Sequence, residues 1–324
     1  MIEIQRAKMR MWSMLGKRGT FGTALTELAP EYDNLMAMSA DFARSSGLER
    51  YSKTYPEKFL NVGIAEQNLI GIASGLASED YNVFATSFAS FIATRSYEQV
   101  KIHCGYMKHN IKVVGLAAGF GVQQQGNTHY GLDDLCLMRA IPNLTILSPA
   151  DSTEVVKATQ ALLDFEGPAY LRLCGEAGDP MVYKEDYEYE IGKAITLREG
   201  ADVTIVATGT MVYQSLQAAK KLVEEGIECT VINMHTIKPL DSEVIDKYCH
   251  DCKLVVTVEE GFVSGGLGAA VVEAVTQQGK HIPPVEIIGL TEFPHAGSYK
   301  YMLDQTGLDA CHIAERIKKR LATL

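Results

Sequence analysis

The sequence predicts an α/β protein with two domains, each a mainly parallel β-sheet flanked by helices. Short apolar runs of strand length alternate with longer segments of helical periodicity, a pattern typical of parallel sheets covered on both faces. The length of 324 residues suits two domains of ordinary size. Residues 176–192 interrupt the alternation with a Gly-Asp-Pro turn and an acidic, tyrosine-rich stretch. We therefore expect one domain over residues 1–185 and a second over residues 193–324.

The first domain begins with two predicted helices, at residues 5–16 and 21–29, and Pro30 ends the second. Asp151 follows a predicted strand and is the expected N-cap of the next helix. The strands of this domain are predicted at residues 34–40, 83–86, 111–117, 145–147 and 169–173, and its other helices at 66–79 and about 91–106. Ligands of such sheets bind beyond the carboxyl ends of the strands, so the loops there hold the candidate site.

The second domain repeats the alternation on a smaller scale. Its strands are predicted at residues 203–207, 228–232, 253–258 and 285–288, and its helices at about 211–225, 241–248, 266–278 and 308–321. A glycine-rich run at residues 259–268 follows a strand and opens a helix. A single turn of this kind is a weak signal for nucleotide binding, so we interpret the run as a packing turn.

The composition excludes several classes of function. The net charge of -10 argues against nucleic acid as a partner. No apolar run approaches the ~20 residues that span a bilayer, so we expect no membrane segment. The seven cysteines, an odd number over a long chain, indicate reduced thiols and a cytoplasmic protein. Cys249 and Cys252 form a CxxC without a second ligand pair, so we expect no metal or redox role for them.

Glu66 is the candidate catalytic residue and lies in the run GIAEQN at residues 63–68. A glutamate in the first turn of a helix most often only complements the helix dipole. Here an apolar segment precedes the glutamate, and Phe84, Phe88 and Phe91 follow about one element later. A carboxyl group among aromatic rings in a buried cleft can hold a proton at neutral pH and pass it to a bound heterocycle.

The run GIAEQN resembles the signature of thiamine diphosphate enzymes of the transketolase type. The resemblance covers nearly the whole chain, but only the second half of a full-length transketolase. It implies a pyrimidine-binding domain followed by a transketolase C-terminal-like domain, with thiamine diphosphate as cofactor. It also implies that Glu66 activates the cofactor by pairing with N1′ of the aminopyrimidine. Phe91 would stack on that ring, Phe88 would form a neighbouring wall, and Asp41 would lie near the thiazolium.

Two further runs resemble substrate-binding segments of the same family. SADFARS at residues 39–45 is similar to Ser-Ala-Asp-Leu-Ala-Pro-Ser, whose last serine reaches the sugar phosphate and matches Ser45. GNTH at residues 126–129 is similar to the Gly-Pro-Thr-His loop, which implies that His129 is catalytic and hydrogen-bonds the substrate. Gln125 stands where transketolases carry an aspartate that reads the C2 hydroxyl, so we expect it to contact the substrate too.

The arginines that would bind the terminal anion of the substrate match the family only in part. Arg18 matches an arginine that binds substrate phosphate, whereas Cys174 falls near the second expected arginine. Arg172 lies two residues before Cys174 in the predicted strand, and Arg44 replaces a family proline. We take the three arginines as candidate anion contacts because a guanidinium can bind two oxygens of one anion. The implied substrate is a sugar phosphate or a sulfonate.

The Gly-Asp-Gly stretch with which the family holds the diphosphate and Mg²⁺ does not occur in the sequence. The nearest string, Gly178-Asp179-Pro180, has proline where the turn needs glycine. We expect no metal ligands in this chain and a partner subunit that carries the Gly-Asp-Gly site. Because cofactor sites of this family are built across a dimer, an α2β2 heterotetramer is the expected assembly.

Three functions remain open on the sequence. The first is the C-terminal subunit of a split transketolase, which moves a two-carbon ketol unit from an anionic ketose to an aldose. The second is the β subunit of a 2-oxo acid dehydrogenase E1 component, which shares the architecture and a similar glutamate. The third is a regulatory or binding module that keeps the fold without catalysis, although such a module would be expected to lose Glu66 or the aromatic residues.

Overall fold

In a computed structural model, which describes residues 2–324, the chain folds around two β-sheets. The strands are β1 (Leu35–Ser39), β2 (Phe59–Asn61), β3 (Asn82–Phe88), β4 (Ile111–Ala118), β5 (Thr145–Leu147), β6 (Ala169–Cys174), β7 (Ile195–Arg198), β8 (Val203–Ala207), β9 (Cys229–Asn233), β10 (Thr236–Lys238), β11 (Leu254–Phe262) and β12 (Val285–Leu290). The helices are α1 (Arg6–Leu28), α2 (Glu49–Thr54), α3 (Glu66–Ser78), α4 (Ala89–Thr94), α5 (Tyr97–Val100), α6 (Asp134–Arg139), α7 (Ser152–Asp164), α8 (Met211–Val223), α9 (Ser242–Tyr248), α10 (Leu267–Gln277), α11 (Tyr299–Gln305) and α12 (Ala310–Leu321).

Both sheets are mainly parallel, which confirms the predicted fold class. The first has seven strands in the order β10-β5-β6-β4-β3-β1-β2, and only the β10–β5 pair is antiparallel. The second has five strands in the order β12-β11-β8-β9-β7, and only the β7–β9 pair is antiparallel. Strand β10 comes from the C-terminal half of the chain but completes the first sheet.

The apolar core lies on both faces of the first sheet. Strands β3 and β4 are buried along their whole length, as expected for central strands covered by helices on each side. Neighbouring residues of β3 point to opposite faces, so Phe84 joins the core cluster that contains Trp12 and Phe21 of α1, whereas Val83 joins the cluster that contains Leu69 of α3. This arrangement fixes α3 and α4 against the sheet edge where the candidate site lies.

The two helices predicted near the N-terminus are present, because α1 consists of two helical segments joined at a non-helical residue, Gly16. Helix α1 runs from Arg6 to Leu28, with a kink at Gly16, where φ is 70°. A Cβ atom at Gly16 would lie 2.7 Å from the carbonyl oxygen of Glu176, so glycine is required both by the left-handed backbone and by this close contact. Pro30 lies in the short 3₁₀ turn after the helix.

The prediction of a single helix over residues 91–106 is wrong, because the segment is broken into α4, α5 and a π-helix at Lys101–Tyr106. The hydroxyl groups of Thr94 and Ser96 donate to the carbonyl oxygens of Ser90 and Ile92, at 2.5 and 2.8 Å. Such bonds to the carbonyl four residues earlier compete with the backbone and bend helices. The apolar pattern continues across the break, which explains why the sequence predicts one helix.

The segment between the two predicted domains is pinned to both. The hydroxyl groups of Tyr183 and Tyr187 donate to Oε1 of the buried Glu154, at 3.1 and 3.2 Å. Asn233, at the end of β9, donates to the same oxygen at 2.9 Å. Burial raises the pKa of Glu154, and these donors partly offset that effect.

Two further sequence expectations concern membrane-spanning helices and the cysteine thiols. Within residues 2–324, no helix combines the length and apolarity that crossing a bilayer requires. All seven cysteines are free thiols, and burial raises the pKa of Cys249 in the CxxC.

Candidate active site

Glu66 begins α3 at the edge of the first sheet, and its side chain is 1% exposed. Its Oε2 atom accepts a hydrogen bond from Nη1 of Arg95 at 2.8 Å, which makes a charge-assisted pair. The Oγ atom of Ser87, near the end of β3, lies 3.4 Å from the other carboxylate oxygen. The predicted helix start therefore places the carboxylate beside the carboxyl end of a central strand.

A set of aromatic rings, which we call the aromatic bed, lies next to this carboxylate. It consists of Phe42, Phe88, Phe91 and His129. The Phe88 ring centroid is 4.3 Å from that of Phe42 and 5.9 Å from that of Phe91, and the Phe91 and His129 centroids are 5.2 Å apart. The Arg95 guanidinium carbon lies 4.4 Å from the Phe91 centroid, so one side chain contacts both the carboxylate and the bed.

Asp41 follows β1 at the same edge of the sheet and is held by Asn61 at the end of the neighbouring β2. The Asp41 backbone N–H donates to Oδ1 of Asn61 at 3.0 Å, and Nδ2 of Asn61 donates to Oδ1 of Asp41 at 3.2 Å. Asp41 has φ of 64°, an uncommon conformation for a residue other than glycine. Such strained backbone is often retained at functional sites. Asn61 is a site residue that the sequence did not predict, although it lies within the run that precedes Glu66.

An open cavity of about 350 Å³ gathers the predicted anion contacts Arg18, Arg44 and Ser45. Lys17 and Glu176 also line it. The Lys17 Nζ atom is 2.8 Å from Oδ2 of Asp179, and both side chains are buried, so this cation already has a partner. Arg18 is partly buried, which lowers its pKa, and Arg44 is exposed. The two arginines are therefore the charges that this cavity offers to an anionic ligand.

The loop at residues 123–129 reaches from the cavity to the aromatic bed. Nε2 of Gln123 donates to Oε2 of Glu176 at 2.6 Å, while His129 packs on Phe91. Gln125, the residue expected to read a hydroxyl group, is exposed. The Asp41–Ser45 segment spans the same two regions, because its phenylalanine belongs to the bed and its arginine lines the cavity.

The position of Arg172 in the structure contradicts the prediction that it contacts the substrate. Its side chain and that of Asp134 are both 0% exposed, and Nε of Arg172 lies 2.8 Å from Oδ2 of Asp134. Nη2 of Arg172 also donates to the carbonyl oxygens of Glu260 and Gly131, at 2.8 and 3.2 Å. Arg172 is thus an internal cross-link between β6, α6 and β11. Cys174, at the end of β6, is buried as well and presents no cation.

The glycine-rich run at residues 259–268 is a packing turn in its contacts. The Glu259 carboxylate accepts hydrogen bonds from the backbone N–H groups of Leu267 and Gly268 at 2.8 and 2.9 Å. The start of α10, where a phosphate would bind, is therefore occupied by a carboxylate of the chain itself. A Cβ atom at Gly266 would lie 1.9 Å from Oε2 of Glu259, so the glycine admits this internal cap.

Comparison with known families decides the classification of this fold. The family model for the transketolase pyrimidine binding domain matches residues 14–177, and that for the transketolase C-terminal domain matches residues 192–313. The chain belongs to the transketolase family. Residues 66–68 and the aromatic bed thus lie in the pyrimidine-binding part, and the resemblance seen in the sequence is confirmed.

Similar transketolase subunits have nearly the same length as this chain. It is 38% identical over 315 residues to an apulose-4-phosphate transketolase subunit of Phocaeicola vulgatus, covering 95% of this chain and 99% of the relative. It is 37% identical over 298 residues to the 6-deoxy-6-sulfo-D-fructose transketolase subunit SqwH of a Clostridium species, covering 91% of each. A solved structure of a split gene transketolase, an inactive beta4 tetramer, matches with a TM-score of 0.84 and 36% identity, covering 94% of this chain and 98% of that one. The chain is accordingly a transketolase subunit.

The side chains present fit one end of the transketolase family's cofactor. A buried carboxylate beside partly accessible rings is the combination that an aminopyrimidine needs, because the ring can stack while its nitrogen pairs with the carboxylate. A diphosphate with its metal needs a cluster of oxygen ligands. Within residues 2–324, the one such cluster of acidic and histidine side chains is Asp304, Asp309 and His312, on α11, α12 and the turn between them rather than in the bed.

Proposed function

We propose that this chain is the C-terminal subunit of a split, thiamine diphosphate-dependent transketolase. In this proposal the enzyme transfers a two-carbon ketol unit from an anionic ketose to an aldose. The observation that carries it is the continuity of Glu66, the aromatic bed and the two-arginine cavity along one sheet edge. The similar transketolase subunits, one for a sugar phosphate and one for a sulfo-sugar, support a substrate with a terminal anion.

Glu66 would act on the cofactor by holding a proton between its carboxylate and N1′ of the aminopyrimidine. When bound, thiamine diphosphate supplies the nucleophilic carbon that cleaves and re-forms a carbon–carbon bond of the sugar. Phe91 would stack on the pyrimidine and Phe88 would wall the ring, while Asp41 would face the thiazolium. The near-complete burial of Glu66 supports this role, because a desolvated carboxylate interacts more strongly with a ring nitrogen than an exposed one does.

Arg18, Arg44 and Ser45 would hold the terminal anion of the ketose, and His129 would hydrogen-bond the sugar near the reacting carbons. Their positions support this order, since the cavity lies at one end of the 123–129 loop and the bed at the other. Gln125 would face a sugar hydroxyl in place of the aspartate usual in the family. A comparison of the transfer rates with ketose phosphates and with sulfo-ketoses as donors shows which terminal anion the enzyme prefers.

The diphosphate and Mg²⁺ would be held mainly by a partner subunit carrying the Gly-Asp-Gly stretch, in an α2β2 heterotetramer of the cytoplasm. The absence of that stretch from the sequence supports the division, and so does the similarity to a split-gene transketolase. Residues 1–185 and 193–324 would form the two domains of this subunit. The active site would then lie at the interface between subunits.

The proposal is tested by mixing the purified chain with the partner subunit, thiamine diphosphate and Mg²⁺. Ketose phosphates, sulfo-ketoses and pyruvate are supplied as donors, each with an aldose acceptor or an artificial oxidant. We expect ketol transfer from an anionic ketose by the mixture and none by either subunit alone. Oxidative decarboxylation of pyruvate would instead identify the β subunit of a 2-oxo acid dehydrogenase, and no turnover with any donor would favour a non-catalytic module.

Replacing Glu66 by alanine or glutamine should lower kcat by a factor of about 10²–10⁴ or more, because a positioned acid or base is lost. Glutamine keeps the shape of the side chain but cannot exchange the proton. Glu79→Gln, an exposed carboxylate at the other end of α3, is the matched control and should leave kcat unchanged. Circular dichroism checks that each variant is folded. Near-normal turnover by Glu66→Ala would contradict the assigned role.

A further inference from the structure

Arg95 contacts both groups that the proposed function gives to the aminopyrimidine. Its Nη1 atom is 2.8 Å from Oε2 of Glu66, and its guanidinium carbon is 4.4 Å from the centroid of Phe91. A guanidinium is planar, carries N–H donors and stacks on aromatic faces. An aminopyrimidine is planar too, and it would use the same two groups by stacking on Phe91 and pairing with Glu66. The two groups therefore compete for one volume.

The burial of the pair shows which side chain lies outside. Glu66 is 1% exposed, whereas the Arg95 side chain is 47% exposed. Arg95 thus covers the carboxylate from the solvent side, in the direction from which a ligand must arrive. Because a side chain turns about its own torsion angles, Arg95 can move into solvent without breaking the hydrogen bond that its backbone N–H donates to Phe91.

We infer that Arg95 is an internal occupant of the aminopyrimidine subsite and that thiamine diphosphate must displace it to bind. This inference rests on the proposed function. The exchange gives Glu66 a partner in both end states: the guanidinium before binding, and afterwards the ring nitrogen, through a proton taken up from solvent between the nitrogen and the carboxylate. An unpaired buried carboxylate would be costly, which gives the occupant a physical purpose in the unliganded chain.

The inference predicts opposite effects of one substitution on stability and on affinity. Arg95→Ala should lower the melting temperature of the chain without cofactor, because Glu66 loses its partner. The same substitution should strengthen thiamine diphosphate binding, because nothing has to be displaced. A residue that merely positions Glu66 would weaken both.

The experiment uses the full chain in complex with its partner subunit, with Mg²⁺, and measures thiamine diphosphate binding by calorimetry and stopped-flow fluorescence. We expect Arg95→Ala to lower Kd by about tenfold, equivalent to about 1.4 kcal/mol, and to raise the association rate. Arg95→Lys should fall between, because an ammonium can pair with Glu66 but lacks the flat face that covers Phe91. Arg50→Ala, an exposed arginine on α2, is the control and should not change Kd.

The outcomes separate this inference from the function on which it rests. If wild-type and variant complexes both bind the cofactor, and Arg95→Ala binds no more tightly than wild type, the displacement of Arg95 is refuted while the proposed function stands. If neither complex binds thiamine diphosphate, the proposed function fails and the inference fails with it. A tighter Kd together with a lower melting temperature without cofactor supports displacement.

Discussion

Replacing Arg172 by methionine should destabilise the subunit without changing its use of substrate. The substitution removes the guanidinium that pairs with Asp134 at 2.8 Å, and both side chains are 0% exposed. Asp134 would keep one donor, the hydroxyl of Tyr170 at 2.8 Å, but not the opposite charge. The carbonyl oxygens of Gly131 and Glu260 would lose a donor as well.

The expected loss is about 3–5 kcal/mol, the usual cost of removing one member of a buried ion pair. That is a large part of the ~5–15 kcal/mol by which a folded domain is stable. Most of the loss comes from the charge left on Asp134 rather than from the bond itself. Arg172→Met combined with Asp134→Asn should therefore recover a substantial part of it, since asparagine can still accept from Tyr170 without carrying charge.

Urea denaturation followed by circular dichroism measures the loss, and steady-state kinetics with the partner subunit measures substrate use. Arg50→Met, on the surface of α2, is the control for the substitution itself. We expect a lower unfolding midpoint with an unchanged KM for the anionic donor. An unchanged midpoint with a raised KM would show that Arg172 binds the substrate and would refute its role as an internal cross-link.

Two other predictions concern the cavity lined by Arg18 and Arg44 and a buried histidine, His235. Arg18→Ala and Arg44→Ala should each raise the KM for the anionic ketose at least about tenfold, because charge-assisted hydrogen bonds contribute ~1.5–3 kcal/mol. The KM for a donor that lacks the terminal anion should not change. Equal increases in KM for both donors would contradict the assignment of these arginines to the anion. Burial lowers the pKa of His235 to about 4 in the folded chain, whereas the pKa in the unfolded chain is ~6.5. Between these two pH values the unfolded chain binds a proton that the folded chain does not. The free energy of unfolding should therefore fall as the pH drops from about 6.5 to 4. His235→Phe should flatten that part of the curve of unfolding free energy against pH, and an unchanged slope would count against this assignment.

The sequence was most informative where a side chain's role depends on its own element. Helix α3 begins at Glu66 as predicted, and Asp151 caps α7 by accepting a hydrogen bond from the Glu154 backbone N–H at 2.9 Å. Both follow from local chemistry, a polar residue between a loop and an apolar periodic run. The loops after β1 and β4 could be placed for a related reason, because parallel strands end at one edge of the sheet.

The sequence was least informative where a role depends on two distant segments. Arg172 and Asp134 lie 38 positions apart, and nothing in either neighbourhood indicates that they pair. Arg95 and Glu66 lie 29 positions apart, and no local pattern in either segment indicates that they pair. Strand β10 has three residues, too few to show a period of two, and its partner β5 belongs to the other half of the chain.

Strand β10 also limits how this protein can be divided. A fragment that stops within residues 176–192 would keep six strands of the first sheet but leave β5 at its margin with unpaired backbone groups. Open margins of this kind template contacts with other chains, so such a fragment is expected to self-associate instead of remaining dispersed. In a chimera that joins the halves of two related subunits, residues 236–238 would have to come from the same subunit as the first sheet. Evolution by exchange of whole C-terminal modules faces the same constraint.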